Sequence, residues 1–108
     1  MTKFNPAKAY IKNVLWNDFF KNHKFIELIE ECQFVKDRRW KFDWALPHQK
    51  IAIEFEGGVF LPKGGHTTGK GYTNNCDKYN RATIEGWKLL RYTILNFRNV
   101  KADLEKLL

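Results

Sequence analysis

The apolar positions change period four times along the chain, and each change predicts an element. Asn5-Pro6 places a capping residue ahead of a proline suited to the first helical position. Ala7, Tyr10, Ile11, Val14, Leu15 and Phe19 then recur at helical spacing, which predicts a first helix from about residue 5 to 22. Between Asn22 and Glu31 the pattern is weaker, and Phe25, Ile26, Leu28 and Ile29 suit either a continued helix or a packed loop. From Gln33 to Leu46 the chain turns aromatic. Trp40, Phe42 and Trp44 alternate with Lys41, Asp43 and Ala45, the period of a strand or hairpin arm with one apolar face. Pro47 to Lys50 supplies a turn, and Ile51 to Glu56 runs back as a second, mostly buried strand.

The remaining half reads in the same way. Gly57 to Gly71 is rich in glycine and holds Pro62 and His66, a loop directly after an acidic strand end. Thr73, Asn74 and Asn75 all suit the cap of a helix running to about Glu85, with Gly86 as its stop. Trp87 to Ile94 predicts another strand. Val100, Leu104 and Leu107 form one stripe behind Asn99 and predict a short closing helix. The order is helix, two or three strands, helix, strand, helix: an α/β arrangement with a small mixed sheet in a single domain spanning 1–108.

Composition narrows the partners. With 19 Lys and Arg against 12 Asp and Glu the formal charge is +7, which favours a polyanion such as nucleic acid. The run Lys36 to Lys41, with Arg38, Arg39 and Lys41, and the later Lys63, Lys70, Lys78, Arg81, Lys88 and Arg91 supply phosphate contacts that position a duplex or branched DNA without reading bases. Arg38 and Arg39 have an alternative use, bracing the aromatic strand by stacking on tryptophan. Trp40, Trp44 and Trp87 are expected in the core. Cys32 and Cys76 are far apart with no CxxC pair, which fits two reduced thiols. The start lacks the apolar stretch of a signal peptide and no run reaches the roughly 20 residues of a membrane span, so a soluble cytoplasmic protein with no membrane partner is expected.

The chemistry concentrates in IAIEFEGG. On a strand Ile51, Ile53 and Phe55 share one face, while Ala52, Glu54 and Glu56 share the other and set two like charges side by side. If the preceding strand pairs antiparallel through the Pro47 turn, Asp43 joins them. Such a cluster suits Mg²⁺, which takes one or two carboxylates plus waters and substrate phosphate. A wet strand face whose acids each pair with a lysine or arginine, Asp43 with Arg38 or Lys88 for example, has the same sequence pattern. His66 fits a general base or a phosphate contact, since imidazole titrates near neutral pH. Glu27 and Glu30 read as carboxylates in local ion pairs.

RRWKFDWALPHQKIAIEFEGGVF, GGHTTGKGY and DKYNRATIEGWKLLRYT together resemble the small endonucleases of the PD-(D/E)XK superfamily, especially short phage and bacterial members akin to very-short-patch repair and junction-resolving enzymes. The resemblance runs from about Glu31 to Thr93. It implies a restriction-endonuclease-like αβββαβ core with a C-terminal helix. It also implies a Mg²⁺-dependent DNA endonuclease, with Mn²⁺ as a substitute, in which Asp43 is the motif aspartate and Glu54 the next metal-binding acid. Glu31 would be a further acid near the metal. The chain departs from the usual pattern at Glu56, where lysine is the rule. The cation must then come from elsewhere, and Lys78 is the candidate, on a helix whose positive end would face the acids. A homodimer cutting branched DNA such as a four-way junction is the expected form. The competing readings are a DNA-binding module that keeps the scaffold without its chemistry, and an assembly protein whose basic face meets an acidic partner.

Overall fold

The computed structural model describes residues 5–21, 26–57 and 69–108. Helix α1 spans Pro6–Asn13. Its start is built as the sequence predicts: Asn5 Oδ1 accepts from the backbone N–H groups of Ala7 at 3.1 Å and Lys8 at 3.2 Å, with Pro6 in the first turn. From Val14 to Phe20 the helix continues in wider π turns. The i to i+5 bonding of such turns brings residues five apart onto one side, and Val14 and Phe19 are both buried there with Leu15.

Four strands follow: β1 Ile29–Gln33, β2 Lys41–Leu46, β3 Ile51–Phe55 and, after helix α2 (Gly69–Ile84), β4 Lys88–Tyr92. They form one mixed sheet in the order β1-β2-β3-β4, antiparallel except for the parallel pair β3/β4. A 3₁₀ turn at Phe97–Asn99 leads into helix α3, Val100–Leu107. No helix among the described residues is long and apolar enough to cross a membrane.

The segment from Gln33 to Leu46 is not one hairpin arm. It divides into the end of β1, a connecting stretch and β2, and the strand Ile29–Gln33 occupies what the sequence left between helix and loop. Its weak pattern has a cause: β1 is a sheet edge and only Cys32 on it is buried. The connection is pinned by Gln33, whose Nε2 donates to the carbonyls of Val35 at 3.1 Å and Arg38 at 2.8 Å.

Two apolar layers cover the sheet. One gathers Ile11, Leu15 and Phe19 with Trp44, Leu46, Ile51, Ile53, Tyr92, Val100 and Leu104. The other gathers Cys32, Phe42, Ala45 and Ala52 with Ala82 of α2, and Trp87 packs against it. Phe42 and Trp44 thus belong to different layers, contrary to the alternation expected of β2. The phase breaks at Asp43, level with Glu31 of β1, which lies between the pairs Glu30/Trp44 and Cys32/Phe42 and has φ 51°. On β3 the expected alternation holds. Ile51 and Ile53 face one layer and Ala52 the other.

Helix α2 is already formed at Gly69, ahead of the capping residues near Thr73 that the sequence suggested. Thr73 does not cap it; its hydroxyl donates back to the Gly69 carbonyl at 2.7 Å within the helix. The helix ends where expected. Gly86, at φ 90°, donates to Thr83 O and Trp87 donates to Ala82 O, the paired bonds of a Schellman stop that favour glycine at this position.

Candidate active site

Asp43 and Glu54 lie on the neighbouring antiparallel strands β2 and β3, one step beyond the pair Trp44/Ile53. The carboxylate of Asp43 bridges the two strands, its Oδ2 accepting from the Phe55 N–H at 2.8 Å. Its Oδ1 is 3.6 Å from Nζ of Lys8, which α1 carries over Trp44. Neither Arg38 nor Lys88, the partners the sequence offered, is the neighbour.

Glu54 is enclosed, at 8% exposure, and so is Lys78, at 9%. Lys78 Nζ donates to Glu54 Oε1 at 2.8 Å and to the Lys41 carbonyl at 2.7 Å. Burial pushes the Glu54 carboxyl above its ordinary 4.5; Lys78 opposes that rise, and the charges of Asp43 and Glu56 add to it. Glu54 therefore feels both of the other acids of the sequence pattern. Lys78 reaches them from the middle of α2 rather than from its first turn, so its ammonium, not the helix dipole, supplies the positive charge.

Glu56 sits just beyond β3 and faces the same helix. Its Oε1 accepts from Arg91 Nε at 2.8 Å and from the Tyr79 hydroxyl at 3.0 Å, while the Arg91 guanidinium stacks on the Tyr79 ring at 4.2 Å. Burial, with Glu54 and Glu56 close by, drives the Tyr79 phenol well above its ordinary value, so it stays a donor. Asp43, Glu54 and Glu56 are thus matched by Lys8, Lys78 and Arg91.

The other predicted residues divide. Glu31 is exposed on the sheet edge at a left-handed position and does not enter these contacts. His66 and Lys63 fall outside the described residues. Arg39, Lys41 and Lys70 present exposed side chains. Arg38 takes its alternative role: its guanidinium lies 3.8 Å over the Trp40 ring, and both side chains donate to Asn74 Oδ1. Arg81 is a strut rather than a free phosphate contact, holding Asp37 through both Nη atoms and Glu85 through Nε. Glu30 pairs with Lys12 and Glu27 lies 3.5 Å from His48 Nε2, partners distant in sequence rather than the local ones expected. Cys32 and Cys76 are free thiols.

Sequence reasoning missed Lys8. Nothing in AKAYIKN marks one lysine of a helix face, and only the packing of α1 beside β2 brings it to Asp43. An open groove of about 530 Å³ between α1 and β1, lined by Lys12, Trp16 and Glu30 among others, shares no residue with the acid cluster.

Whether a divalent ion suits these acids turns on their free oxygens. Asp43 Oδ1 has only the 3.6 Å contact with Lys8, and Glu54 Oε2 has no hydrogen bond among the described residues, so each acid keeps a hard oxygen donor beyond its bond to Phe55 or Lys78, and burial disfavours the Glu54 anion. Among the described residues no group of three His, Cys, Asp or Glu side chains is arranged to hold a metal. Two carboxylates supplemented by water and phosphate remain a normal Mg²⁺ environment, so the residues fit the ion. Comparison with protein families, with curated proteins and with solved structures finds no match to this chain.

Proposed function

We propose that the protein is a PD-(D/E)XK nuclease that hydrolyses DNA phosphodiester bonds with Mg²⁺ or Mn²⁺. The observation that carries this reading is the contact between Lys78 and Glu54 beside Asp43. An acid from each of two antiparallel strands and a buried lysine meet at one point, although the position where the motif normally has its lysine is occupied by Glu56. The strand and helix order, with β3 and β4 parallel, agrees with a restriction-endonuclease-like core.

Asp43 and Glu54 would hold the ion, which when bound polarises a phosphoryl oxygen and lowers the pKa of a water. The Phe55 N–H fixes the Asp43 carboxylate, and Lys78 fixes that of Glu54. Lys78 Nζ, with two of its donors used on Glu54 and the Lys41 carbonyl, would offer the third to a phosphate oxygen. His66 is proposed as the base that takes the proton of the attacking water. Arg39, Lys41 and Lys70 contact the DNA backbone. A homodimer acting on branched DNA belongs to the same proposal.

A second reading has one observation in its favour. Each of the three acids already has a cation of its own in the chain, so charge balance does not require a metal, and a DNA-binding module without hydrolysis would look the same. The experiment that separates them incubates the protein with a labelled four-way junction and a linear duplex in Mg²⁺ and in Mn²⁺. Cleavage that Asp43→Asn and Glu54→Gln abolish is the expected result. Salt-sensitive binding without product in either metal would establish the binding module instead.

A further inference from the structure

Glu56 is the residue that departs from the nuclease motif, and its contacts give it a different task. Its carboxylate is held by two donors, Arg91 Nε at 2.8 Å and Tyr79 OH at 3.0 Å, and its side chain is 9% exposed. Arg91 is fixed in turn by Glu56 and Tyr79. Nε is tied to Glu56, the guanidinium plane lies on the Tyr79 ring at 4.2 Å, and the strand register sets Arg91 directly beside Glu54. Yet its side chain is 50% exposed, and neither Nη has a partner among the described residues. An ammonium is sufficient to neutralise a buried carboxylate, as Lys78 does for Glu54. A guanidinium anchored through Nε and stacked on an aromatic ring offers something more, two parallel N–H donors aimed outward in a fixed plane, the fork that matches phosphate oxygens.

We propose that Arg91 binds a backbone phosphate of nucleic acid at the edge of the acid site, and that Glu56 and Tyr79 are the positioning residues that hold its guanidinium ready. The assignment rests on the proposed function only in taking a nucleic acid as ligand. It also accounts for the glutamate: with Lys78 supplying the ammonium from α2, position 56 is free to orient Arg91.

The test is fluorescence anisotropy of a labelled DNA duplex in metal-free buffer across a salt series, with wild type, Arg91→Gln, Arg91→Lys, Glu56→Gln and Tyr79→Phe. Arg91→Gln is expected to weaken binding roughly tenfold and to lower the slope of log affinity against log salt by about one. Arg91→Lys keeps the charge, so its slope stays parental while affinity falls several-fold with the fork. Glu56→Gln and Tyr79→Phe are expected to do the same, with circular dichroism and thermal midpoints confirming the fold. Parental affinity and slope in Arg91→Gln would overturn the phosphate assignment, and parental affinity in folded Glu56→Gln and Tyr79→Phe would overturn the positioning role. Because no metal is present, the outcome is independent of cleavage. A wild type that binds but does not cut defeats the nuclease reading alone, and one that cuts while Arg91→Gln binds normally defeats this inference alone.

Discussion

Lys78 of α2 and Glu54 of β3, 24 residues apart in sequence, form a buried ion pair of 2.8 Å at the centre of the acid cluster. The pair is nearly closed to water, with side-chain exposures of 11% and 10%, so neither charge can fall back on solvent. Lys78→Met is therefore expected to destabilise the protein by about 3 kcal/mol or more, because it leaves Glu54 beside Asp43 and Glu56 with no counter-charge. Lys78→Met combined with Glu54→Leu should recover most of that loss, since apolar packing replaces both charges. Urea unfolding of the single and double variants measures it. A double variant as unstable as the single one would mean that the cost lies in packing and not in the unpaired charge.

Asn5→Ala removes the acceptor of two N–H groups at the start of α1, the helix that brings Lys8 to Asp43. A loss of about 1 kcal/mol is expected from the missing cap. Asn5→Asp, which keeps a cap acceptor, should stay close to wild type in the same denaturation experiment.

Acid sensitivity should trace in part to Asp37. The hydrogen bonds from Arg81 hold its carboxyl below the ordinary 3.8, so the folded state favours the ionised form. A lowered carboxylate pKa contributes stability above the unfolded value that is lost as pH falls through the folded one. Thermal midpoints of wild type and Asp37→Asn should thus differ above about pH 4 and converge below pH 3.8. A difference that does not shrink as pH falls below 3.8 would assign the effect to something other than this ionisation.

At the alkaline end the pair to test is Tyr92 and Asp103, joined at 2.8 Å between β4 and α3. Burial first, then the bond to Asp103, raises the Tyr92 phenol above its ordinary 10.0, so the contribution is full below pH 10 and fades as pH rises through the folded value. Tyr92→Phe is expected to cost about 1.5 kcal/mol at pH 7, the worth of a hydrogen bond to a charged group. The gap to wild type should narrow above pH 10, which unfolding at pH 7 and pH 11 would register.

Much of the architecture is legible in the order of residues. Asn5-Pro6 sets the start of α1 and Gly86 the end of α2, because a cap acceptor, a fixed φ and a left-handed stop act over a few neighbouring residues. The alternation of IAIEF determines which side of β3 carries the carboxylates, since successive side chains on a strand point opposite ways. Tertiary structure decided the rest. β1 escapes the pattern because an edge strand buries too little to need one, and the phase break at Asp43 arises where a second strand bends at Glu31. Which cation meets which acid is decided by how α1, α2 and β4 pack around β2 and β3: Lys8 for Asp43, Lys78 for Glu54, Arg91 for Glu56. Those partners are far apart in sequence, and a lysine or arginine bound for the site looks, in the sequence alone, like any other on a basic chain.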